Sequence, residues 1–298
     1  PSDCGLKALL KGELPAILIL DIGGTHGVLP TIDRELLESL PNLKVIANSG
    51  VGVDHLDLKM ISSFVVKVTN TPHTVADPTA DIGIALMLAS AGIQVEVHNI
   101  SISPGMDYCE ADILGVKVAG ATQGIVGMGN IRYKIAMRAK AFEMNILYHN
   151  RTQRNYVRNI GQEEQADSAT YCKKIDSLLQ QADFVMLVVS LTPQTHKLIR
   201  KRELELMKPT ATLINISRGT VQIHWLTGVI RALDVTSLEP LPRLPSLSCI
   251  VKKLKNIVIT PHLGIKTDKA TYMITEEGVE NILAALNGLP LPSEVLPS

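Results

Sequence analysis

The feature that most constrains the fold is an alternation, from about residue 115, of short apolar β-branched runs with helical stretches. Strands are predicted at residues 123–127, 145–148, 184–189, 211–216, 231–235 and 257–260. Helices are predicted at residues 131–142, 172–181 and 202–207. Apolar strands that alternate with helices are typical of a parallel sheet covered on both faces. We therefore predict a doubly wound α/β domain for this half of the chain.

The first 95 residues repeat this pattern more weakly. Strands are predicted at residues 16–20, 43–47 and 65–68, and helices at residues 33–40 and 75–91. A last periodic helix, residues 272–286, ends at Asn287-Gly288 followed by Pro290, which is a typical helix stop. We expect this helix to return to the first domain. The chain is thus predicted to form two doubly wound parallel-sheet domains of the α/β class, with residues 96–267 inserted into a discontinuous outer domain of residues 1–95 and 268–298.

The charge balance restricts the classes of partner. Lys and Arg total 29, as do Asp and Glu, so the formal net charge is zero. Nucleic acids and anionic membranes attract a basic excess, so neither is an expected partner. No apolar run approaches the roughly 18 residues that span a bilayer. The four cysteines are far apart and no secretory leader is recognised, so we expect a cytoplasmic protein without a metal site.

A glycine-containing turn follows the strand predicted at residues 123–127. In Gly127-Met128-Gly129, followed by Asn130 and Ile131, backbone N–H groups and a helix N-terminus can receive a pyrophosphate. This predicts a Rossmann-type, dinucleotide-binding middle domain. The third position of the fingerprint is Arg132 rather than Gly, and its long side chain is expected to obstruct close helix–strand packing. The alternative is a purely structural turn.

The next predicted strand, NILYH, indicates which dinucleotide is preferred. It runs into Asn150-Arg151-Thr152, with Arg154 just beyond, and no acid is present there to hold a ribose 2′-hydroxyl. Guanidinium groups suit a 2′-phosphate instead. This predicts NADP(H), with NAD(H) possible; the alternative is a solvated basic loop.

Three polar residues follow predicted strands at their carboxyl ends. Arg218 follows TLINIS, Glu239 follows ALDV, and His262 follows IVIT. Open α/β sheets bind ligands at this edge. Together the three suit carbonyl reduction: Arg218 would hold a carboxylate, His262 would donate a proton, and Glu239 would keep His262 protonated. Singly, each is more often a surface ion or a buried histidine with a hydrogen-bond partner.

Near the N-terminus, the segment Asn48-Ser49-Gly50-Val51-Gly52-Val53-Asp54 also follows a predicted strand. Two glycines in a short loop expose consecutive N–H groups, which can bind a carboxylate as a backbone nest. By itself the segment would be only a turn.

Taken together, these segments resemble the D-2-hydroxyacid dehydrogenase family, particularly its glyoxylate/hydroxypyruvate reductase branch. The likeness runs from about residue 36 to 297 and includes NLKVIANSGVGVDHLDL, NTPHTVADPTADIGIALML, GIVGMGNI, SLTPQTHKLI, LINISRG, LDVTSLEPLP, ITPHLG and NGLPLPSEVLP. The resemblance implies a cofactor domain inserted into a substrate domain, a homodimer, and NADPH-dependent reduction of a small 2-keto acid to the D-2-hydroxy acid.

The resemblance also implies roles for individual residues. The family's catalytic set falls on Arg218, Glu239 and His262, and its substrate-carboxylate loop falls on Val51 and Gly52. Its cofactor contacts fall on Thr79, Gly127, Met128, Gly129, Asn130, Ile131, Asn150, Arg151, Thr152, Leu191, Thr192, Pro193, Asp234, His262 and Gly264.

Departures from the family pattern keep other functions open. Besides Arg132, the stretch from Arg218 to Asp234 is short, so its crossover helix is expected to be stunted. Ile265-Lys266 replaces the usual small Ser-Ala pair. One alternative is a catalytically impaired NAD(P)-binding paralogue that acts as a sensor or structural protein. Another is a sugar-acid reductase of the 2-ketogluconate kind, which differs only in substrate size.

Overall fold

The computed structural model describes residues 16–21, 31–102, 114–127, 129–151, 169–222, 230–235, 257–262 and 264–297. The chain divides into two compact units, one made of Pro1–Val75 with Ile265–Ser298 and the other of Ala76–Gly264. Their boundaries therefore lie at 75/76 and 264/265, whereas the sequence placed them at 95/96 and 267/268. The first boundary differs because the helix Ala76–Ala91 buries its side chains in the core of the second unit.

The first unit contains a three-stranded parallel sheet in the order β1-β2-β3. Its strands are β1 (Ala16–Asp21), β2 (Leu43–Ser49) and β3 (Lys67–Thr69). Its helices are α1 (Arg34–Glu38), α2 (Leu58–Ser63) and α8 (Asp268–Leu286). The C-terminal tail also joins this unit, because the Val295 N–H donates to the Val68 carbonyl oxygen at 2.9 Å. Residues from both ends of the chain thus build one core.

The second unit is built on a seven-stranded parallel sheet in the order β10-β9-β8-β7-β4-β5-β6. The strands are β4 (Thr122–Val126), β5 (Asn145–His149), β6 (Thr170–Tyr171), β7 (Phe184–Leu187), β8 (Thr212–Asn215), β9 (Ile230–Leu233) and β10 (Ile257–Ile259). The helices are α3 (Ala76–Ala91), α4 (Gln94–Ser101), α5 (Asn130–Ala141), α6 (Ile175–Gln181) and α7 (Lys201–Leu206), with a 3₁₀ turn at Gly219–Val221.

Strand β7 shows why the sheet is covered on both faces. Phe184 and Met186 belong to the core that contains α3 and α5, whereas Val185 and Leu187 belong to the core that contains α6 and α7. Because side chains alternate along a strand, an apolar residue at every position requires helices on both sides. This arrangement confirms the predicted doubly wound α/β fold.

Some elements differ from the sequence prediction. The predicted helix 172–181 begins only at Ile175. Helices α2 and α4 and strand β6 were not predicted, since short elements carry little periodicity. The last helix begins at Asp268, four residues before the predicted start, because the Thr267 Oγ1 accepts a hydrogen bond from the Ala270 N–H at 3.2 Å and caps it.

Arg132 is accommodated between α5 and the sheet. Arg132 is only 8% exposed, and its guanidinium carbon lies 4.3 Å from the centre of the Tyr148 ring on β5. Such stacking is favourable for a guanidinium on an aromatic face. Ile135 and Ala139, which follow on the same face of α5, are fully buried. The predicted obstruction of helix packing is therefore not observed.

The connection from β8 to β9 is only partly described. It contains the 3₁₀ turn Gly219–Val221 and a bridge from Gln222 to Ile199, while residues 223–229 lie outside the described residues. Across the described parts of the chain, no helix combines the length and apolar character needed to cross a membrane.

Candidate active site

The carboxyl edge of the seven-stranded sheet collects most of the predicted site residues. Along the chain, the strands proceed from β4 to β5 and β6 on one side and then from β7 to β10 on the other. The strand order therefore reverses between β4 and β7, the point where open α/β sheets place their ligands. The glycine turn follows β4, and Arg218, Asp234 and His262 follow β8, β9 and β10.

The two glycines of the turn after β4 differ in the space around them. Gly127 has a φ of +118°, and a Cβ atom there would lie 2.0 Å from the Val188 carbonyl oxygen, so only glycine fits. Gly129 is the N-cap of α5, and apart from its chain neighbours no described residue lies within 4 Å of the position that a Cβ atom would take there. Asn130 and Ile131 form the first turn of α5. Open space in front of a helix N-terminus suits an anionic group.

The end of β5 carries the residues predicted to select the dinucleotide. Arg151 is exposed, and Asn150 is half-buried with its carbonyl oxygen accepting a hydrogen bond from the Tyr171 hydroxyl at 3.2 Å. The His149 Nδ1 lies 2.9 Å from the Cys172 carbonyl oxygen. The residues just before Arg151 are thus bonded to β6 and to Cys172, which follows it.

Asn215 shapes the turn that carries Arg218. The fully buried Asn215 amide donates to the Arg218 carbonyl oxygen at 2.9 Å. Its Oδ1 accepts bonds from the Ser217 N–H at 3.0 Å and the Ser217 hydroxyl at 2.8 Å. The half-buried Arg218 directs Nη1 to the Ser217 carbonyl oxygen at 3.0 Å. A guanidinium on so well-anchored a turn is suited to holding a carboxylate.

Asp234 ties down both sides of the segment that carries His262. Asp234 is 2% exposed. Its carboxylate accepts one hydrogen bond from the Thr260 hydroxyl at 2.6 Å and another from the Gly264 N–H at 3.2 Å. His262 lies between these two attachments with a φ of 53°, a left-handed conformation that is unusual for a residue with a side chain. Held backbone strain of this kind is found at functional sites.

Further predicted cofactor contacts lie in the same unit. The Cα atom of Thr79 on α3 is 3.7 Å from the position that a Gly264 Cβ would take, so Thr79, Gly264 and Asp234 are brought together. Leu191, Thr192 and Pro193 form the loop after β7, where the Thr192 N–H donates to the Thr195 Oγ1 at 2.8 Å. Three other predicted residues, Glu239, Met128 and Thr152, lie outside the described residues, as does Arg154.

In the first unit, the predicted carboxylate loop follows β2. Gly50 is buried and its N–H donates to the Thr71 Oγ1 at 2.8 Å, whereas Val51 is 37% exposed. A cavity of about 270 Å³ lies beside this loop, and its polar lining residues include Asn48, Thr69, Thr71 and Lys266. A cavity of this size has room for a small organic acid.

Sequence reasoning missed the residues that support the predicted ones. Asn215 and Thr260 were assigned to strands, and their positions at strand ends were the signal that could have identified them. Among the residues that the structure describes, no group of three His, Cys, Asp or Glu side chains is placed to hold a metal ion.

Comparison with known proteins gives a consistent result. A family profile described as "D-isomer specific 2-hydroxyacid dehydrogenase, NAD binding domain" matches residues 84–264. The chain is 35% identical to the glyoxylate reductase of Thermococcus gammatolerans over 279 residues. This aligned region covers 89% of this chain and 79% of that protein. The crystal structure of the TT0316 protein from Thermus thermophilus is similar with a TM-score of 0.80 and 32% identity, over 99% of this chain and 90% of that one. A glyoxylate reductase from Paecilomyes thermophila gives a TM-score of 0.73 and 28% identity, over 89% and 79% of the two chains.

Proposed function

Because this chain belongs to the D-isomer specific 2-hydroxyacid dehydrogenase family, we propose that it reduces glyoxylate, hydroxypyruvate or a similar small 2-keto acid with NADPH. The observation that carries this proposal is the placement of Arg218, Asp234 and His262 after three adjacent parallel strands. Adjacent strands are about 4.8 Å apart, so the strands that carry Arg218 and His262 are separated by roughly 10 Å. Long side chains can converge across that spacing on the carboxylate and the adjacent carbonyl group of one small 2-keto acid.

Features of the second unit support binding of a nicotinamide dinucleotide there. The space beside Gly129 and the N-terminus of α5 fit the pyrophosphate, and residues 191–193 and Asp234 border the same sheet edge. The bound cofactor supplies the hydride. We accordingly assign cofactor binding to the second unit and substrate-carboxylate binding through Val51 and Gly52 to the first.

A preference for the phosphorylated cofactor is supported by charge at the end of β5. From His149 to Gly161 the sequence contains Arg151, Arg154 and Arg158 and no Asp or Glu. A ribose 2′-hydroxyl is normally held by a carboxylate, whereas a 2′-phosphate is bound by guanidinium groups. Of these three arginines, only Arg151 lies among the residues that the structure describes, and it is exposed.

Each catalytic side chain has a separate task in the proposed reaction. Arg218 orients the substrate by binding its carboxylate, and His262 gives a proton to the carbonyl oxygen as that oxygen gains negative charge. Glu239 is proposed to keep the imidazole protonated. The product is the D-2-hydroxy acid.

The decisive experiment is NADPH oxidation with glyoxylate and with hydroxypyruvate. We expect His262→Ala to lower kcat by about 100-fold or more, the usual contribution of a general acid, while NADPH binding is retained. The matched control is His98→Ala, since His98 is exposed on helix α4, which carries none of the proposed site residues. NADPH binding by the wild-type chain without turnover would instead identify the impaired, sensor-like paralogue.

The same assay separates the substrate classes. Turnover of 2-ketogluconate in preference to glyoxylate would favour the sugar-acid reductase.

The homodimer and the cytoplasmic location remain predictions. Size-exclusion chromatography with light scattering tests the homodimer.

A further inference from the structure

Side-chain amides hold the carbonyl groups of the loop that was predicted to bind a carboxylate. The Asn48 Nδ2 donates to the carbonyl oxygen of Gly50 at 3.2 Å and to that of Gly52 at 3.1 Å. The Asn70 Nδ2 donates to the carbonyl oxygen of Val51 at 2.9 Å. Three successive carbonyl groups are therefore bound by two asparagines.

This arrangement leaves a specific pair of donors for a ligand. The Gly50 N–H is already bonded to the Thr71 Oγ1, and the Thr71 N–H donates to the Gly50 carbonyl oxygen at 3.1 Å. In the described part of the chain, the N–H groups of Val51 and Gly52 have no hydrogen-bond acceptor. Because the carbonyl groups are held elsewhere, these two adjacent N–H groups are left for a ligand, and successive N–H donors are what an anion-binding nest uses.

Both asparagines are themselves fixed. Asn48 is 2% exposed, and its amide cannot be reversed without setting its oxygen against two carbonyl oxygens. The Asn70 N–H donates to the Ser293 carbonyl oxygen at 3.2 Å, and the Asn70 carbonyl oxygen accepts from the Asn281 Nδ2 at 3.5 Å. Asn281 is fully buried on α8, and its Oδ1 accepts from the Ser293 N–H at 3.0 Å.

We propose that Asn70, together with Asn48, is a positioning residue that orients the N–H groups of Val51 and Gly52 toward the substrate carboxylate. The proposal rests on the proposed function. A carboxylate is bound equally in the ground state and in the transition state, so disorder of this loop weakens binding without slowing chemistry. Loss of the Asn70 bond is expected to raise the KM of the keto acid about 10-fold and to leave kcat and the KM of NADPH within about twofold.

The test compares Asn70→Ala and Asn70→Asp with Asn145→Ala. The aspartate keeps the shape of asparagine but has no donor for the Val51 carbonyl oxygen. Asn145 is a matched control because its Nδ2 donates to the Gly120 carbonyl oxygen at 3.1 Å, a bond of the same type in the second unit. Glyoxylate KM, kcat, NADPH KM and Tm are measured for each variant.

A raised glyoxylate KM in both Asn70 variants, with the other constants and the control unchanged, supports the proposal. An unchanged KM overturns it, as does a parallel loss of kcat, NADPH affinity and Tm, which indicates a purely structural role. If the wild-type chain reduces neither acid, the proposed reaction fails separately. In that case calorimetry measures glyoxylate binding to the NADP⁺-loaded wild type and variants. Loss of binding in the two Asn70 variants but not in the Asn145 control supports the proposal. Equal binding by all of these proteins, or no binding by the wild type, overturns it.

Discussion

The hydroxyl group of Thr260 donates a hydrogen bond of 2.6 Å to the carboxylate of Asp234, which also accepts from the Gly264 N–H. The two attachments lie on either side of His262, whose backbone has a φ of 53°. A left-handed conformation costs a residue with a side chain roughly 1–2 kcal/mol. One buried carboxylate therefore helps to hold the proposed proton donor in a conformation that is disfavoured for it by itself.

Thr260→Val is expected to lower kcat for glyoxylate about 10-fold, because losing one hydrogen bond of about 1.4 kcal/mol releases the His262 segment. Thr260→Ser keeps the donor and is expected to stay within about threefold of the wild type. Thr170→Val, at an exposed position on β6, is the control. Equal kcat values for the valine and serine variants would contradict this role.

Arg151→Gln is expected to raise the KM of NADPH by about 10-fold or more, since a charge-assisted hydrogen bond contributes roughly 1.5–3 kcal/mol. The KM of NADH, measured on the same preparation, is expected to be unchanged and serves as the internal control. A similar rise for both cofactors would mean that Arg151 does not contact a 2′-phosphate.

Two glycine variants distinguish folding from cofactor binding. Gly127→Ala is expected to destabilise the chain, because its Cβ would lie 2.0 Å from the Val188 carbonyl oxygen. Gly129→Ala has open space around its Cβ, so its Tm is expected to stay close to that of the wild type while the added methyl group weakens NADPH binding. Thermal unfolding with and without NADPH measures both effects, and unimpaired NADPH binding by Gly129→Ala would contradict the pyrophosphate site.

An ion-pair cluster joins α3 to α5 and is expected to depend on pH. Arg138 contacts Asp77 at 3.1 Å and Asp81 at 2.7 Å, and Lys134 contacts Asp77 at 3.1 Å. Partial burial raises the pKa of Asp77, but hydrogen bonds from Arg138 and Lys134 outweigh it, so the pKa lies below its usual 3.8.

A depressed pKa stabilises the folded state above the unfolded pKa, and this contribution disappears as pH falls through the folded value. Asp77→Asn is therefore expected to lower the free energy of unfolding at pH 7 by at most about 1 kcal/mol, since the carboxylate is half exposed. The difference should shrink below about pH 4. Urea unfolding across this range measures it. Glu276→Gln is the control, since Glu276 is exposed and makes no ion pair with the other described residues. A pH-independent difference would contradict the electrostatic explanation.

The sequence by itself determined the fold class and the location of the second unit's candidate site. Apolar residues at every position of β7 require helices on both faces, and a parallel sheet brings the ends of β8, β9 and β10 to one edge. The placement of Arg218 and His262 at this edge of the sheet thus follows from local sequence pattern alone. Gly127 was predictable for the same reason, since a strand followed at once by a helix needs a tight turn.

Tertiary structure decided what holds these residues in place. Asp234 with Thr260, and Asn70 with Val51, are pairs separated by 26 and 19 residues, and no local pattern specifies such contacts. Arg132 was expected to disturb helix packing, yet it stacks on Tyr148, a partner supplied by a neighbouring strand. Periodicity reports which face of an element is buried, whereas a hydrogen bond depends on the relative placement of two chain segments, which is set only when the whole unit packs.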